Sequence, residues 1–285
     1  MLSVSNGSNQ RVNSNLKIPK HHAEQPWFVL SAAQHFDLAL SSNPAISHFY
    51  SFEANHNDSE TLAIPDGCID ILFDCDATNP CAMACGSTLE ARAADLKDKH
   101  RYFGVRFAQG ITPDFMMASA KELIDQELDL LELVPDSEPL LTAITSQERF
   151  QNQIRLFQRF YEGCRTRDIS PATSMAVREI CARNGDIKIS ELEVITGFSS
   201  RTLQRQFSSD MGISPKAFSR IIRCQSAVRQ ISYQNDVNFS ELACDLGFSD
   251  QPHFLREFKK LVSTTPADYL QQVRSCSYQQ RIRHQ

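Results

Sequence analysis

Along the chain the apolar residues change rhythm once, near residue 110. From Pro26 to about Gly110 they fall in short runs that alternate with polar positions and end at turn residues. "ISHFYSFEA" (46–54) and "CIDILFDC" (68–75) are rich in β-branched and aromatic side chains and read as strands. In "HRYFGVRFA" (100–108) the two-residue period puts Phe103, Val105 and Phe107 on one face and Arg106 on the other. Pro65-Asp66-Gly67, between two such runs, reads as a tight turn: proline presets φ and glycine accepts a positive one. Several short strands joined by turns predict a sandwich or a small barrel.

After Gly110 the spacing becomes helical. Thr112-Pro113 reads as an N-cap followed by proline at the first helical position, which predicts a helix through "DFMMASAKELI" (114–124). A second helix, from about Ser146, carries Phe150, Ile154, Phe157 and Tyr161 at spacings of four, three and four, on one stripe. Two readings of that stripe stand side by side: it packs against the chain's own barrel, or it is a helix–helix dimer contact. "GCRTRDISP" (163–171) reads as an exposed linker that ends where Pro171 starts a helix.

From Pro171 onward every segment reads as helical, and one pattern occurs twice. Ser190, Leu192 and Gly197-Phe198-Ser199 recur fifty residues later as Ser240, Leu242 and Gly247-Phe248-Ser249. Arg205, Phe207, Pro215 and Phe218 recur as Arg256, Phe258, Pro266 and Tyr269 at an offset of fifty-one, so one extra residue lies between Phe248 and Phe254. Each copy has the grammar of a helix-turn-helix: a short helix ends at glycine, an aromatic follows, and serine stands ready to cap the next helix. The apolar stripe of that next helix is narrow, Leu203 and Phe207 in the first copy and Phe254, Phe258 and Leu261 in the second. Its other side shows Arg201, Thr202, Gln204 and Arg205, and then Gln251, His253, Arg256, Lys259 and Lys260. Arg and Gln can bond two atoms of one base edge, whereas Ser, Thr and Lys suit phosphate oxygens.

Through "GFSSRTLQRQF", "GISP" and "GFSDQPHFLREFKK…TPADY", residues 172–270 resemble the DNA-binding part of the AraC/XylS-type bacterial transcription regulators. The resemblance implies two helix-turn-helix units on one connecting helix, here about 215–232 with Phe218, Ile222 and Val228 inward. Their recognition helices would enter successive major grooves of double-stranded DNA, roughly 34 Å apart. It implies base reading by Arg201, Gln204, Arg205, Gln251, His253 and Arg256, with Ser200, Thr202, Lys259 and Lys260 on phosphates. It also implies activation of transcription and admits RNA polymerase as a partner. There are departures: Glu193 stands where a small residue is expected, Thr196 replaces an apolar one, and Ser263 replaces a glycine before the second Thr-Pro. The front half, through "IPDGCIDILF" (64–73), "GVRFAQG" (104–110) and "ASAKELIDQELDLLEL" (118–133), resembles the sensor domain of one branch of these regulators. That implies a cupin-like barrel that senses a small-molecule effector or mediates assembly, with trailing helices that dimerise, and it leaves the effector-binding residues unknown.

The expected fold class is α+β: a lead-in over 1–24, a cupin-like sensor with C-terminal helices over 25–163, a linker at 164–171, an all-α double helix-turn-helix over 172–270, and a tail over 271–285. Charge follows that division. Residues 1–169 hold 14 Lys and Arg against 23 Asp and Glu, a net of −9, and residues 170–285 hold 15 against 11, a net of +4. An acidic and a basic module suggest different partners. The Ser/Asn-rich start lacks the apolar core of a signal peptide, and no apolar run approaches the roughly 20 residues of a bilayer span. With nine scattered cysteines this predicts free thiols in the cytoplasm, away from any membrane. No His-x-His occurs among His35, His48, His56 and His100, so neither catalysis, a catalytic residue nor a bound metal cofactor is expected. Asp66 and Asp70 beside a turn read as structural. Two alternatives remain open: a redox- or metal-responsive regulator using Cys68, Cys75, Cys81 and Cys85, or a constitutive regulator whose front half only forms a homodimer.

Overall fold

The computed structural model describes residues 23–55, 61–234 and 236–285. Residues 1–22 of the expected lead-in, and His56, lie outside the described residues; Ala23 and Glu24 are buried. A short helix, α1 (Pro26–Ser31), precedes strands β1 (Phe36–Leu40), β2 (Ile46–Glu53), β3 (Leu62–Ala63), β4 (Asp70–Asp74), β5 (Cys81–Cys85), β6 (Arg92–Ala93) and β7 (Arg101–Phe107). Then come α2 (Ala120–Leu123), β8 (Glu127–Asp129), α3 (Leu130–Leu133), α4 (Glu138–Thr145) and α5 (Phe150–Tyr161). The second half is helical: α6 (Pro171–Ala182), α7 (Ile189–Thr196), α8 (Ser200–Met211), α9 (Pro215–Tyr233), α10 (Phe239–Asp245), α11 (Gln251–Val262), α12 (Pro266–Ser275) and α13 (Tyr278–Arg281), closed by strand β9 (Ile282–His284). The class is α+β, a β-sheet domain with trailing helices followed by a helical double helix-turn-helix region.

Seven strands form one sheet in the order β8-β5-β4-β7-β2-β1-β9, antiparallel except for the β1–β9 pair, and β3 pairs β6 in a small second sheet. The two-residue period of β7 holds. Phe103, Val105 and Phe107 lie in an apolar layer with Phe49 and Phe73, while Arg106 faces the other side. On that other side Tyr50 lies opposite Gly104, and its ring covers the glycine so closely that a Cβ there would overlap it. Glycine at 104 thus gives an aromatic ring room to lie flat across the sheet.

Several sequence expectations need correction. Pro26–Ser31 is helical, not extended. Thr112 is not a cap: Pro113 bridges to Thr166, and the helix starts only at Ser119, whose hydroxyl accepts from Glu122 N while the Glu122 carboxylate accepts from Ser119 N. That reciprocal bond is the stronger start signal. The stripe on α5 belongs to this chain's own core. Phe157 is fully buried, Ile154 and Tyr161 nearly so, and Phe150 packs edge-on to Phe103, so the dimer contact proposed for these four residues is withdrawn. The linker is tied back, with Arg167 Nη2 donating to Met116 O at 2.8 Å and Ser170 Oγ to Asp210 at 2.7 Å. The tail is built in as well, with β9 lying on the edge of β1, and Tyr278 is buried and donates to Glu24 at 2.8 Å. No described helix is long and apolar enough to cross a membrane.

Candidate nucleic-acid interface

Each helix-turn-helix unit begins with a short helix held by its own ends. Helix α7 stops at Gly197 (φ +74), and α8 starts at Ser199, whose hydroxyl accepts from Thr202 N at 3.3 Å. In the second unit Asp250, not Ser249, caps α11 by accepting from His253 N at 2.6 Å. The extra residue of the second copy is therefore taken up in the turn, where the cap moves one place along. The departures in the first unit also have local accounts. The Glu193 carboxylate accepts from Ser200 N and caps α8 a second time. Thr196 Oγ1 donates to Leu192 O at 2.6 Å and accepts from Phe198 N at 3.3 Å, so a polar residue closes the turn where an apolar one would pack. Ser263 ends α11 in the left-handed region (φ +67), a conformation that glycine adopts at lower cost.

Helix α8 buries Leu203, Phe207 and Met211 and exposes Ser200, Arg201, Gln204, Arg205 and Ser209; Thr202 is half-buried. Helix α11 buries Phe254, Phe258, Leu261 and Val262 and exposes Gln251, Pro252, Leu255, Arg256, Lys259 and Lys260. The two exposed faces correspond at an offset of fifty-one, except that Lys259 is exposed where its counterpart Ser208 is half-buried. The structure thus brings all the sequence-predicted residues onto two equivalent helix faces but holds His253 at the edge. Its ring packs edge-on to Phe248, centroids 5.5 Å apart, with Nδ1 3.1 Å from Ser249 Oγ. Leu255 takes the position equivalent to Gln204, and the sequence reading missed it because a lone leucine between polar residues carries no periodic signal. Between the units a cleft of about 670 Å³ is lined by Lys188, Lys216, Arg220, Arg223, His253 and Lys260, with Glu257 paired to Arg220 at 2.6 Å. Lys260 also meets Glu90 of the sheet domain at 3.0 Å.

The sheet domain holds a cavity of about 390 Å³ between the polar face of the large sheet and the β3–β6 pair. Glu127, Cys85, Asp70 and Arg106 stand abreast across β8, β5, β4 and β7. Arg106 is buried; its Nε donates to Asp70 at 2.8 Å, Nη2 also pairs with Asp70, and Nη1 lies 3.3 Å from Asp66. Burial pushes the Asp66 carboxyl up from its ordinary range, and Arg106 pulls against that shift. Asp66 also accepts from Gln25 Nε2 at 2.8 Å and Cys68 N at 2.9 Å. The same turn touches the helical half. Gln225 of α9 donates to Pro65 O at 2.8 Å and accepts from Glu24 N at 2.8 Å, and the Phe218 ring edge lies against Gly67 (φ +73). A polar cluster in the sheet is thus one turn away from the helix between the two helix-turn-helix units.

The four cysteines considered for sensing do not act as one group. Cys68, Cys81 and Cys85 line the cavity, whereas Cys75 lies in the opposite apolar layer and accepts from Gln153 at 3.4 Å. Burial pushes all four thiols up from their ordinary range. Among the described residues no three His, Cys, Asp or Glu side chains are grouped as a metal site requires.

Comparison with known proteins bears on the two halves separately. Residues 194–272 match a helix-turn-helix domain family and residues 40–129 a domain of unknown function. Over 87 residues the chain is 34% identical to the probable transcription factor PqrA of Proteus vulgaris, a match that covers 30% of this chain and 70% of that protein. The chain belongs to the AraC-type transcription regulators. An uncharacterised helix-turn-helix regulator of Staphylococcus aureus is 29% identical over 84 residues, 30% of this chain, and the match spans only 11% of that protein's length. A probable AraC family regulator from Rhodopseudomonas palustris aligns structurally with a TM-score of 0.33 and 29% identity, over 36% of this chain and 98% of that one.

Proposed function

We propose that the chain reads double-stranded DNA by sequence through α8 and α11 and activates transcription when a small polar effector fills the 390 Å³ cavity. The observation that carries this reading is the pair of equivalent exposed faces, each with arginine and amide side chains over a buried apolar stripe. Arg201, Gln204, Arg205, Gln251 and Arg256 take base edges in this reading, with Leu255 suited to a thymine methyl group. Ser200, Thr202, Lys259 and Lys260 take phosphates, and His253 supports the turn before it takes a base. Residues 25–163 form the sensing part, 164–171 the connection, and 172–270 the reading part. The signal route runs from Asp66 and Arg106 through the 65–67 turn to Gln225 and Phe218 on α9.

The test starts with sites selected by the full chain from random duplex DNA. On the selected site Arg256→Ala is expected to cost about 1–3 kcal/mol and to relax preference at the base it reads. Equal weakening on all DNA reassigns Arg256 to the phosphate backbone. Lys259→Ala is expected to weaken every sequence almost alike and to reduce the salt dependence by about one contact. An unchanged salt slope takes Lys259 out of the interface. A full chain that selects no motif at all rules out the DNA reading itself.

A further inference from the structure

The two helix-turn-helix units have separate apolar cores, and α9 divides between them. Phe218, Ile221 and Ile222 in its first half pack with Leu192, Leu203 and Phe207 of the first unit. Cys224, Ala227, Val228 and Ile231 in its second half pack with Leu242, Phe254 and Phe258 of the second. Arg223 stands at the boundary. Its Nη1 donates to Gly247 O at 3.0 Å, in the turn between α10 and α11. Its Nη2 donates to Gly185 O at 2.9 Å, in the turn that leads into α7. The Asp186 carboxylate is 3.8 Å away, and the guanidinium lies over the Phe248 ring at 5.1 Å. Gly247 has φ +71, and a Cβ there would overlap the Asp186 carboxylate, so the two turns meet directly beside the arginine. The side chain is largely buried, 18% exposed.

Apolar burial is non-directional. A planar fork that holds two backbone carbonyls at once is directional, and displacement of either turn lengthens a charge-assisted bond. We propose that Arg223 sets the register between the two recognition helices, so that the chain discriminates the spacing of the two half-sites as well as their letters. The proposal rests on the DNA reading above and adds a residue that touches no base. One base pair of extra spacing moves a half-site by about 3.4 Å along the axis, more than a bridged guanidinium can follow.

The experiment is selection of binding sites from random duplex DNA by the full wild-type chain, Arg223→Met and Arg223→Lys, with circular dichroism to establish that the variants fold. Methionine keeps the aliphatic stem without a donor; lysine keeps the charge but cannot bridge both carbonyls. The wild type is expected to return two half-site motifs at one spacing. The variants should return the same half-site letters with the spacing spread by a base pair in either direction, a change that mere loss of stability does not produce. Broadening in either folded variant supports the proposal. If both folded variants keep the single spacing, the packing on α9 sets the register without Arg223; if neither selects any motif, Arg223 serves binding directly. Both results overturn it. A wild-type chain that selects nothing fails at the earlier step and brings down the DNA reading with it.

Discussion

Phe157→Ala is expected to destabilise the protein by about 3–5 kcal/mol, the range for emptying a fully buried aromatic site. Its ring contacts Phe49 and Phe73 of the sheet edge-on, at centroid distances of 6.2 and 6.5 Å, and lies nearly parallel to Tyr161 at 6.1 Å. The loss would thus reach both α5 and the β2–β4–β7 layer. Urea unfolding measures the cost, and size-exclusion chromatography of the folded fraction should give the wild-type elution volume. A variant as stable as the wild type that elutes at half its mass would restore the dimer contact that burial of the stripe removes.

How much of this was legible in the sequence depended on the range of the signal. The helix-turn-helix units were legible because each is a local pattern written twice: a glycine exit, a cap and a narrow stripe. Even the extra residue could be counted, although only the structure shows that Asp250 takes over the capping role. Strand β7 was legible to the level of which residue faces which side. The boundaries that failed were decided by longer-range contacts. Thr112-Pro113 has the form of a helix start, but the backbone there pairs with the linker: Asp114 N donates to Arg165 O and Arg167 N to Thr112 O, both at 2.9 Å. Helix α4 went unread because "EPLLTAIT" has too few turns to show a period. Strand β9 was not legible in the tail because a three-residue strand exists only by pairing with β1, 246 residues earlier in the chain.

The candidate site divided in the same way. Exposed faces of α8 and α11 could be inferred from their buried stripes. The cluster of Asp66, Asp70 and Arg106 could not be assembled, although each member was visible, since its geometry comes from strand register across β4 and β7. The signal present was an arginine in an otherwise apolar strand, which needs a partner on its own face. The division into two modules also proved less sharp than the charge suggested. Apolar packing runs without a break from Phe52 and Tyr102 of the sheet domain to Phe258 and Tyr269 of the second helix-turn-helix unit, and Trp27 of α1 lies edge-on to Tyr269 at 5.6 Å. The sheet domain is thus packed against the second unit, and it meets the first through α9, the contact of α2 with α8, and Gly110 against Val177 and Met211.

Arg106→Met is expected to be the most disruptive single change in the cavity, costing about 3–5 kcal/mol at pH 7, because it leaves the buried Asp66 and the partly buried Asp70 without their cation. The cost should also depend on pH. Burial raises the folded-state pKa of Asp66 above its unfolded value, and Arg106 limits that rise. A carboxyl raised in this way contributes stability that is fully present below the ordinary carboxylate range and is lost as pH rises through the folded value. Without Arg106 the folded value goes higher still, so the variant regains stability on acidification at a pH where the wild type gains little. Urea unfolding of both proteins at pH 7 and pH 5 reads this directly, and the deficit should shrink at the lower pH. A deficit of the same size at both would mean that water entering the cavity solvates Asp66 once the guanidinium is gone, and the cavity would then be an open cleft rather than a closed polar site.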